Sequence, residues 1–298
     1  MAGSHRGLCT KPPTQARAIM STLLRLKDVA IGVEQGGPAG GLGPLLLVHG
    51  WLGTRHTWAD LVPGLRMRHR TMEVDLRGHG TSSVPATGYG TPDMAADLAE
   101  VIELIDGGPV TVMAHSMGTS VATRLAVDRP ELVSALVLVD PDYGGDPTQR
   151  ASLQAMAELP DDEQVKAAVA DIFVNQIDAH TRSASLRDAH LRGVREVPAR
   201  VVAATLQALI NTAESIRFRT QAEALLPHRR QPTLSFHRAF ERAEWERLHA
   251  VHPASRAILV SGAGHWIHEE QPALVVDETE RWLTHLHSSV GAPAPSKP

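Results

Sequence analysis

A hydroxyl able to attack a carbonyl needs three kinds of help. It needs an imidazole to take its proton, a carboxylate to orient that imidazole, and N–H groups to receive the negative charge that develops. The sequence offers all three, dispersed along the chain. Residues 110–118 (VTVMAHSMG) run from an apolar strand through a sharp turn into a helix, with Ser116 at the turn. Such a turn lifts a serine hydroxyl above a sheet. It demands small residues two before and two after, and here these are Ala114 and Gly118; the alanine departs mildly from a strict G-x-S-x-G. The first N–H groups of the helix have no intrahelical partner, so the Met117 amide is placed to receive an oxyanion. The competing reading is that Ser116 only caps the helix, a role serine often fills.

Two further segments complete the set. His49-Gly50-Trp51 follows an apolar run, and an N–H in that turn, that of Trp51, is the candidate second oxyanion donor; the alternative is that His49 and Gly50 only make a tight turn. Near the other end, Gly262-Ala-Gly-His265-Trp follows the last apolar run, with glycines that let the loop fold inward and bring His265 to the serine. His268 is expected at the start of the next helix. Asp75 and Arg77, in the DLRGHG segment 75–80, are expected to bind each other or backbone groups rather than to act chemically.

These segments require a scaffold that sends strand ends to one place. Short apolar runs at 44–48, 71–74, 110–114, 135–139, 233–236 and 257–260 are too short for helices and suit strands buried on both faces. Helical patterns at 57–65, 92–105, 117–127, 242–251 and 272–287 alternate with them. The fold class is therefore α/β, a doubly wound, mostly parallel sheet covered on both faces. Residues 23–33 suggest a strand or strand pair, and 35–44 a turn. From 143 to 230 the alternation stops and helical patterns at 151–158, 162–177, 181–191 and 198–211 take over, expected to form a cap over the strand ends where such sheets bind ligands. The expected organisation is an arm at 1–20, an α/β core at 21–142 and 231–288, the cap at 143–230, and a flexible tail at 289–298.

HGW, DLRGHG, AHSMG and GAGHW, in this order, resemble the α/β-hydrolase superfamily over roughly residues 23–287. The resemblance implies a helical-capped hydrolase fold with Ser116 as nucleophile and His265 as base. An aspartate at the turn would have suggested a dehalogenase or epoxide hydrolase. The family usually carries its acid after the next-to-last strand, but residues 232–241 (PTLSFHRAFE) hold no Asp and only Glu241. A minority of the family places it one strand earlier, where Asp140 stands, and fungal lactonases of the zearalenone-hydrolase type are similar in this. Asp140 is the favoured acid, Glu241 the alternative, and Asp142 a third; the bland reading of Asp140 is a turn residue before Pro141.

The chain has 298 residues, a formal net charge of −4 and one cysteine, Cys9, so no intrachain disulfide can form. Nothing in this balance points to nucleic acid or a membrane surface, and residues 1–20 hold no apolar stretch of the signal-peptide kind, which makes a cytoplasmic location the expectation. The expected partner is a small, largely apolar ester or lactone; a homo-oligomer is compatible with the sequence. No metal-ligand spacing or phosphate-binding loop is present, so no cofactor is expected. Two rivals stand: a cofactor-free dioxygenase or carbon–carbon bond hydrolase on the same fold, and a non-catalytic ligand receptor.

Overall fold

The computed structural model describes residues 16–38, 41–211 and 213–290. Eight strands form one sheet: β1 (Ala16–Arg25), β2 (Ala30–Pro38), β3 (Leu45–Val48), β4 (Thr71–Val74), β5 (Val110–His115), β6 (Val133–Val139), β7 (Thr233–His237) and β8 (Arg256–Leu259). Their order across the sheet is β1-β2-β4-β3-β5-β6-β7-β8. β1 and β2 are antiparallel, β2 runs antiparallel to β4, and β3 to β8 are parallel. The helices are α1 (Val62–Leu65), α2 (Thr91–Ile105), α3 (Met117–Asp128), α4 (Arg150–Ala157), α5 (Asp162–Ile172), α6 (Ala184–Glu196), α7 (Ala199–Asn211), α8 (Arg219–Leu225), α9 (Phe240–His249), α10 (Ile267–Glu270) and α11 (Pro272–Val290). Among the described residues, no helix is long and apolar enough to cross a membrane.

The central strands are buried on both sides because their side chains alternate between two cores. Leu46 and Val48 of β3 and Leu136 and Leu138 of β6 join one core with α2 and α3. Leu45, Leu47, Val137 and Val139 join the other, with Trp58 and the Trp282 of α11. With about 0.8 kcal/mol gained per buried methylene, this two-sided burial holds the register that aligns the strand ends. Between β6 and β7 lie the five helices α4 to α8, whose apolar side chains (Met156, Val169, Phe173, Val202, Leu206) continue the first core.

The structure departs from the sequence reading at several places. Residues 16–20, assigned to the arm, belong to β1; Ile19 and Met20 are largely exposed, so no alternation of buried and exposed residues marks this part of the edge strand. The first 15 residues, with Cys9, lie outside the described ones. Residues 35–38, expected in a turn, extend β2. The expected helix at 57–65 divides into a 3₁₀ turn (Arg55–Trp58) and the single turn α1, where Pro63 enforces a fresh start and Gly64 adds little helix propensity. The helix expected from 181 starts at Ala184, because the Ser183 hydroxyl caps it by accepting from Leu186 N–H at 3.3 Å. The tail expected from 289 is helical as far as Val290, and 291–298 lie outside the described residues.

Candidate active site

β5 ends in the turn that carries Ser116. The serine backbone sits at φ 48°, ψ −123°, outside the ordinary regions for a side-chain-bearing residue. Three features hold it there. The Ser116 N–H donates to Val139 O of the neighbouring strand at 3.0 Å. Gly118 passes so close to β3 that an added Cβ would lie 2.5 Å from His49 O. Gly50 is also crowded, for a Cβ there would stand 2.8 Å from His115 Nδ1 and 3.0 Å from the Ser116 Cβ. Although Ser116 occupies the N-cap position of α3, its side chain makes no capping hydrogen bond. Its Oγ lies instead 2.9 Å from His265 Nε2.

His265 Nδ1 lies 2.7 Å from Asp140 Oδ2. Burial opposes charge on Asp140, but the hydrogen bond and charge of His265, with the nearby Arg238, outweigh it and keep the carboxyl below its ordinary pKa. An ionised carboxylate can only accept, so Nδ1 is the donor. In the neutral ring Nε2 is then unprotonated and accepts from the serine hydroxyl, the tautomer that proton abstraction requires. Asp140 reaches the ring because β6 lies beside β5 and because its own backbone turns sharply, with φ 41°.

The other carboxylates weighed from the sequence are elsewhere. Glu241 is exposed in the first turn of α9. Asp142 is paired with Arg217 at 3.2 Å. Asp75 and Arg77 do not bind each other. Asp75 accepts from the backbone N–H groups of Arg55 at 2.8 Å and Thr81 at 2.9 Å, while Arg77 makes a two-pronged pair with Asp97 at 2.6 Å for each prong. His268 lies on α10, wholly buried.

Met117 opens α3, with its N–H among those lacking an intrahelical partner. Trp51 follows Gly50 in the turn after β3, next to the elbow. His49 shapes that turn: its Nε2 accepts from Leu76 N–H at 2.9 Å, which leaves Nδ1 to donate to Gly50 O at 2.7 Å. Burial holds the His49 pKa down, consistent with this neutral ring. The Trp51 indole donates to Thr205 Oγ1 of α7 at 2.7 Å and so ties the turn to the helices above.

A cavity of about 370 Å³ opens over Ser116 and His265. Its roof is mainly apolar, with Leu153 and Met156 of α4, Ile172 and Phe173 at the end of α5, and Leu206 of α7, beside the polar Ser152 and Gln176. Among the described residues, no group of three or more His, Cys, Asp or Glu side chains is clustered as metal ligands would be.

Several site residues carried no signal in the sequence. Arg238 donates from Nε to Asp140 Oδ2 at 2.9 Å, so one oxygen serves both the imidazole and a guanidinium. His115 packs behind His265 with ring centres 4.7 Å apart, and its Nε2 lies 3.1 Å from His265 O; burial pushes its pKa well down. Asp178 Oδ1 accepts from the Trp266 indole at 2.8 Å, and His190 bridges Asp178 and Glu269 at 2.8 and 2.6 Å while stacking on Trp266. This network joins the helical insertion to the loop that bears His265. The only cue to Arg238 was the absence of an acid in its loop, and residues 178, 190 and 269 are too far apart in sequence to signal one another.

Comparison with known proteins agrees with this architecture. The family model for the alpha/beta hydrolase fold matches residues 43–190. The chain is 36% identical over 97 residues to the soluble epoxide hydrolase of Corynebacterium sp. (strain C12), a match spanning 33% of this chain and 34% of that protein. It is 27% identical to esterase YbfF of Escherichia coli (strain K12) over 246 residues, 80% of this chain and 92% of the esterase. The first of these curated relatives are thus matched over about a third of their length. Among solved structures, a thermophilic esterase from Thermogutta terrifontis superposes with a TM-score of 0.74 at 23% identity, over 91% of this chain and all of that one. With its strand order, its serine elbow and these matches, the chain has the α/β-hydrolase fold.

Proposed function

We propose that this protein hydrolyses carboxylic esters of small, largely apolar acids through an acyl-serine intermediate. The observation that carries the reading is the continuous relay of Ser116 Oγ, His265 Nε2, His265 Nδ1 and Asp140 Oδ2, with contacts of 2.9 and 2.7 Å. His265 takes the hydroxyl proton as Ser116 attacks the carbonyl carbon, and Asp140 stabilises the imidazolium that forms. The Trp51 and Met117 amides receive the oxyanion. His265 then protonates the departing alcohol, and water repeats the cycle to free the acid. The esterases among the relatives support the ester class; a lactone, a cyclic ester, fits the same chemistry.

The test pairs chemistry with labelling. Wild type should hydrolyse phenyl acetate and take up one fluorophosphonate on Ser116, seen by intact mass. Ser116→Ala should lose about 10³-fold or more in kcat and take up none. A variant that keeps most of its rate would overturn the acyl-serine reading. Absent turnover together with absent labelling of the wild type would favour a receptor.

A further inference from the structure

A second cleft of about 810 Å³ adjoins the cavity over Ser116, and the two share Asp142, Gln149, Arg217, Arg238 and His265 among their lining residues. Its character is different. Five arginines line it (Arg182, Arg217, Arg219, Arg238 and Arg242) against three carboxylates, Asp140, Asp142 and Asp146. All three carboxylates are committed. Asp140 serves His265 and Arg238, Asp142 pairs with Arg217, and Asp146 accepts from Thr148 N–H at 2.9 Å.

Two of the arginines are committed as well. Arg217 donates to Asp142 O at 2.9 Å besides its ion pair, and Arg242 donates to the carbonyls of Pro141, Tyr143 and Gly144. The remainder have donors to spare. Arg238 uses only Nε, on Asp140, which leaves both of its Nη groups without a protein acceptor among the described residues. Arg182 and Arg219 make no guanidinium hydrogen bond among the described residues, although the charge of Arg219 lies near enough to Asp146 to help the Thr148 N–H hold that carboxyl below its ordinary pKa. Guanidinium forks that line one concave surface next to a reacting centre suit a carboxylate or phosphate.

The direction of the reaction says which half of the substrate lies there. Trp51 and Ser116 line the apolar cavity and not the basic cleft, whereas His265 lines both. The acyl carbonyl, held by the oxyanion amides, therefore lies on the cavity side. The leaving oxygen must lie against His265, which protonates it, and the rest of the alcohol extends past that ring toward Arg238. We propose that the natural substrate is an ester whose alcohol portion carries an anionic group, a carboxylate or a phosphate, received by Arg182, Arg219 and the free Nη groups of Arg238. This rests on the ester-hydrolase reading above and names its substrate class.

The test compares 4-acetoxybenzoate with its neutral methyl ester, and adds 4-acetoxyphenyl phosphate to tell phosphate from carboxylate. In wild type, kcat/KM for one of the anionic esters should exceed that for the neutral ester by about tenfold or more at low salt, with the gain shrinking as ionic strength rises. The neutral ester is the reference within each variant. The anionic-to-neutral ratio should fall about tenfold in Arg182→Gln/Arg219→Gln, mainly through KM, and recover in part in the double lysine variant. A ratio near one in wild type, or one unmoved by the double variant, overturns the proposal. So does a preference confined to an acyl-side anion, measured with monophenyl adipate against phenyl hexanoate. Failure of the parent reading looks different: no ester is turned over and the fluorophosphonate does not label Ser116.

Discussion

Replacing Asp140 by Asn tests the site where it is least ordinary. The substitution keeps size and hydrogen-bonding capacity but removes the charge. In the ground state the loss is small, since a neutral imidazole needs only an acceptor at Nδ1. In the transition state His265 is an imidazolium, and the charge centres of a pair with a 2.7 Å Nδ1 to Oδ2 contact lie about 4 Å apart. At the effective dielectric of a partly buried site, such a pair is worth roughly 4 kcal/mol. Asp140 is 8% exposed, so water can replace little of that. At 1.36 kcal/mol per decade, kcat should fall about 10³-fold, with KM changed far less because the interaction arises mainly after binding.

A second consequence separates this variant from a general disturbance. Asn can turn its amide NH₂ toward Nδ1 and impose the wrong tautomer, and it leaves Arg238 without its anionic partner. The assay is single-turnover acylation with 4-nitrophenyl acetate, with thermal unfolding as the check on the fold. Glu241→Gln, on an exposed side chain of α9, should stay within about twofold of wild type. If Asp140→Asn folds normally and keeps a tenth of the acylation rate, or if Glu241→Gln is the slower variant, the assignment of Asp140 is refuted.

Two further outcomes concern the frame. Glu246 is buried and holds the buried Arg229, with Tyr143 bridging them at 2.9 and 2.7 Å; Glu246→Ala strands a buried cation and should cost about 3–5 kcal/mol, read as a lower denaturant midpoint at constant slope, and a loss under 1 kcal/mol would contradict it. Burial lowers the His190 pKa, but hydrogen bonds and charge from Asp178 and Glu269 raise it to about 9. Because the folded value lies above the unfolded ~6.5, the stabilisation is complete below about pH 6.5 and is lost as pH rises through 9. Unfolding free energy should therefore decline across that window by something on the order of 3 kcal/mol. A His190→Gln variant should lack that decline; a pH profile identical to wild type would refute the assignment.

The parts that were legible in the sequence are those whose physics is local. A parallel strand buried on both faces must be a short run of apolar residues, and residues 71–74 match β4 to the residue. The serine turn was legible because the small residue two positions after it is demanded by close approach, a Cβ at Gly118 falling 2.5 Å from His49 O. Residues 16–22 of β1 were illegible because the exposed part of an edge strand needs no alternation, and α8 because seven residues hold too little periodicity. The acid could be narrowed but not chosen, because Asp140 and Glu241 both follow strands whose ends face the site. What separates them is the turn of the backbone at each, φ 41° at Asp140 against the helical start that contains Glu241, and no residue type announces that.

The departure in the acid position and the arginine-lined cleft have one geometric origin. β6 and β7 are neighbours and deliver their ends to the same side of His265. Only one of those ends needs to supply a carboxylate. With Asp140 doing so from β6, the loop after β7 is free of that duty, and at Arg238 it presents a cation instead. That cation touches the same Oδ2 that holds the imidazole, so it lies within reach of whatever alcohol His265 protonates. Relocating the acid by one strand thus converts the old acid loop into a recognition surface. An enzyme with its acid after β7 would pay for an arginine there with a competing pair against its own carboxylate. Here the pairing is part of the site, and the two remaining nitrogens of Arg238, on a residue that lines the cleft, are without a protein acceptor among the described residues.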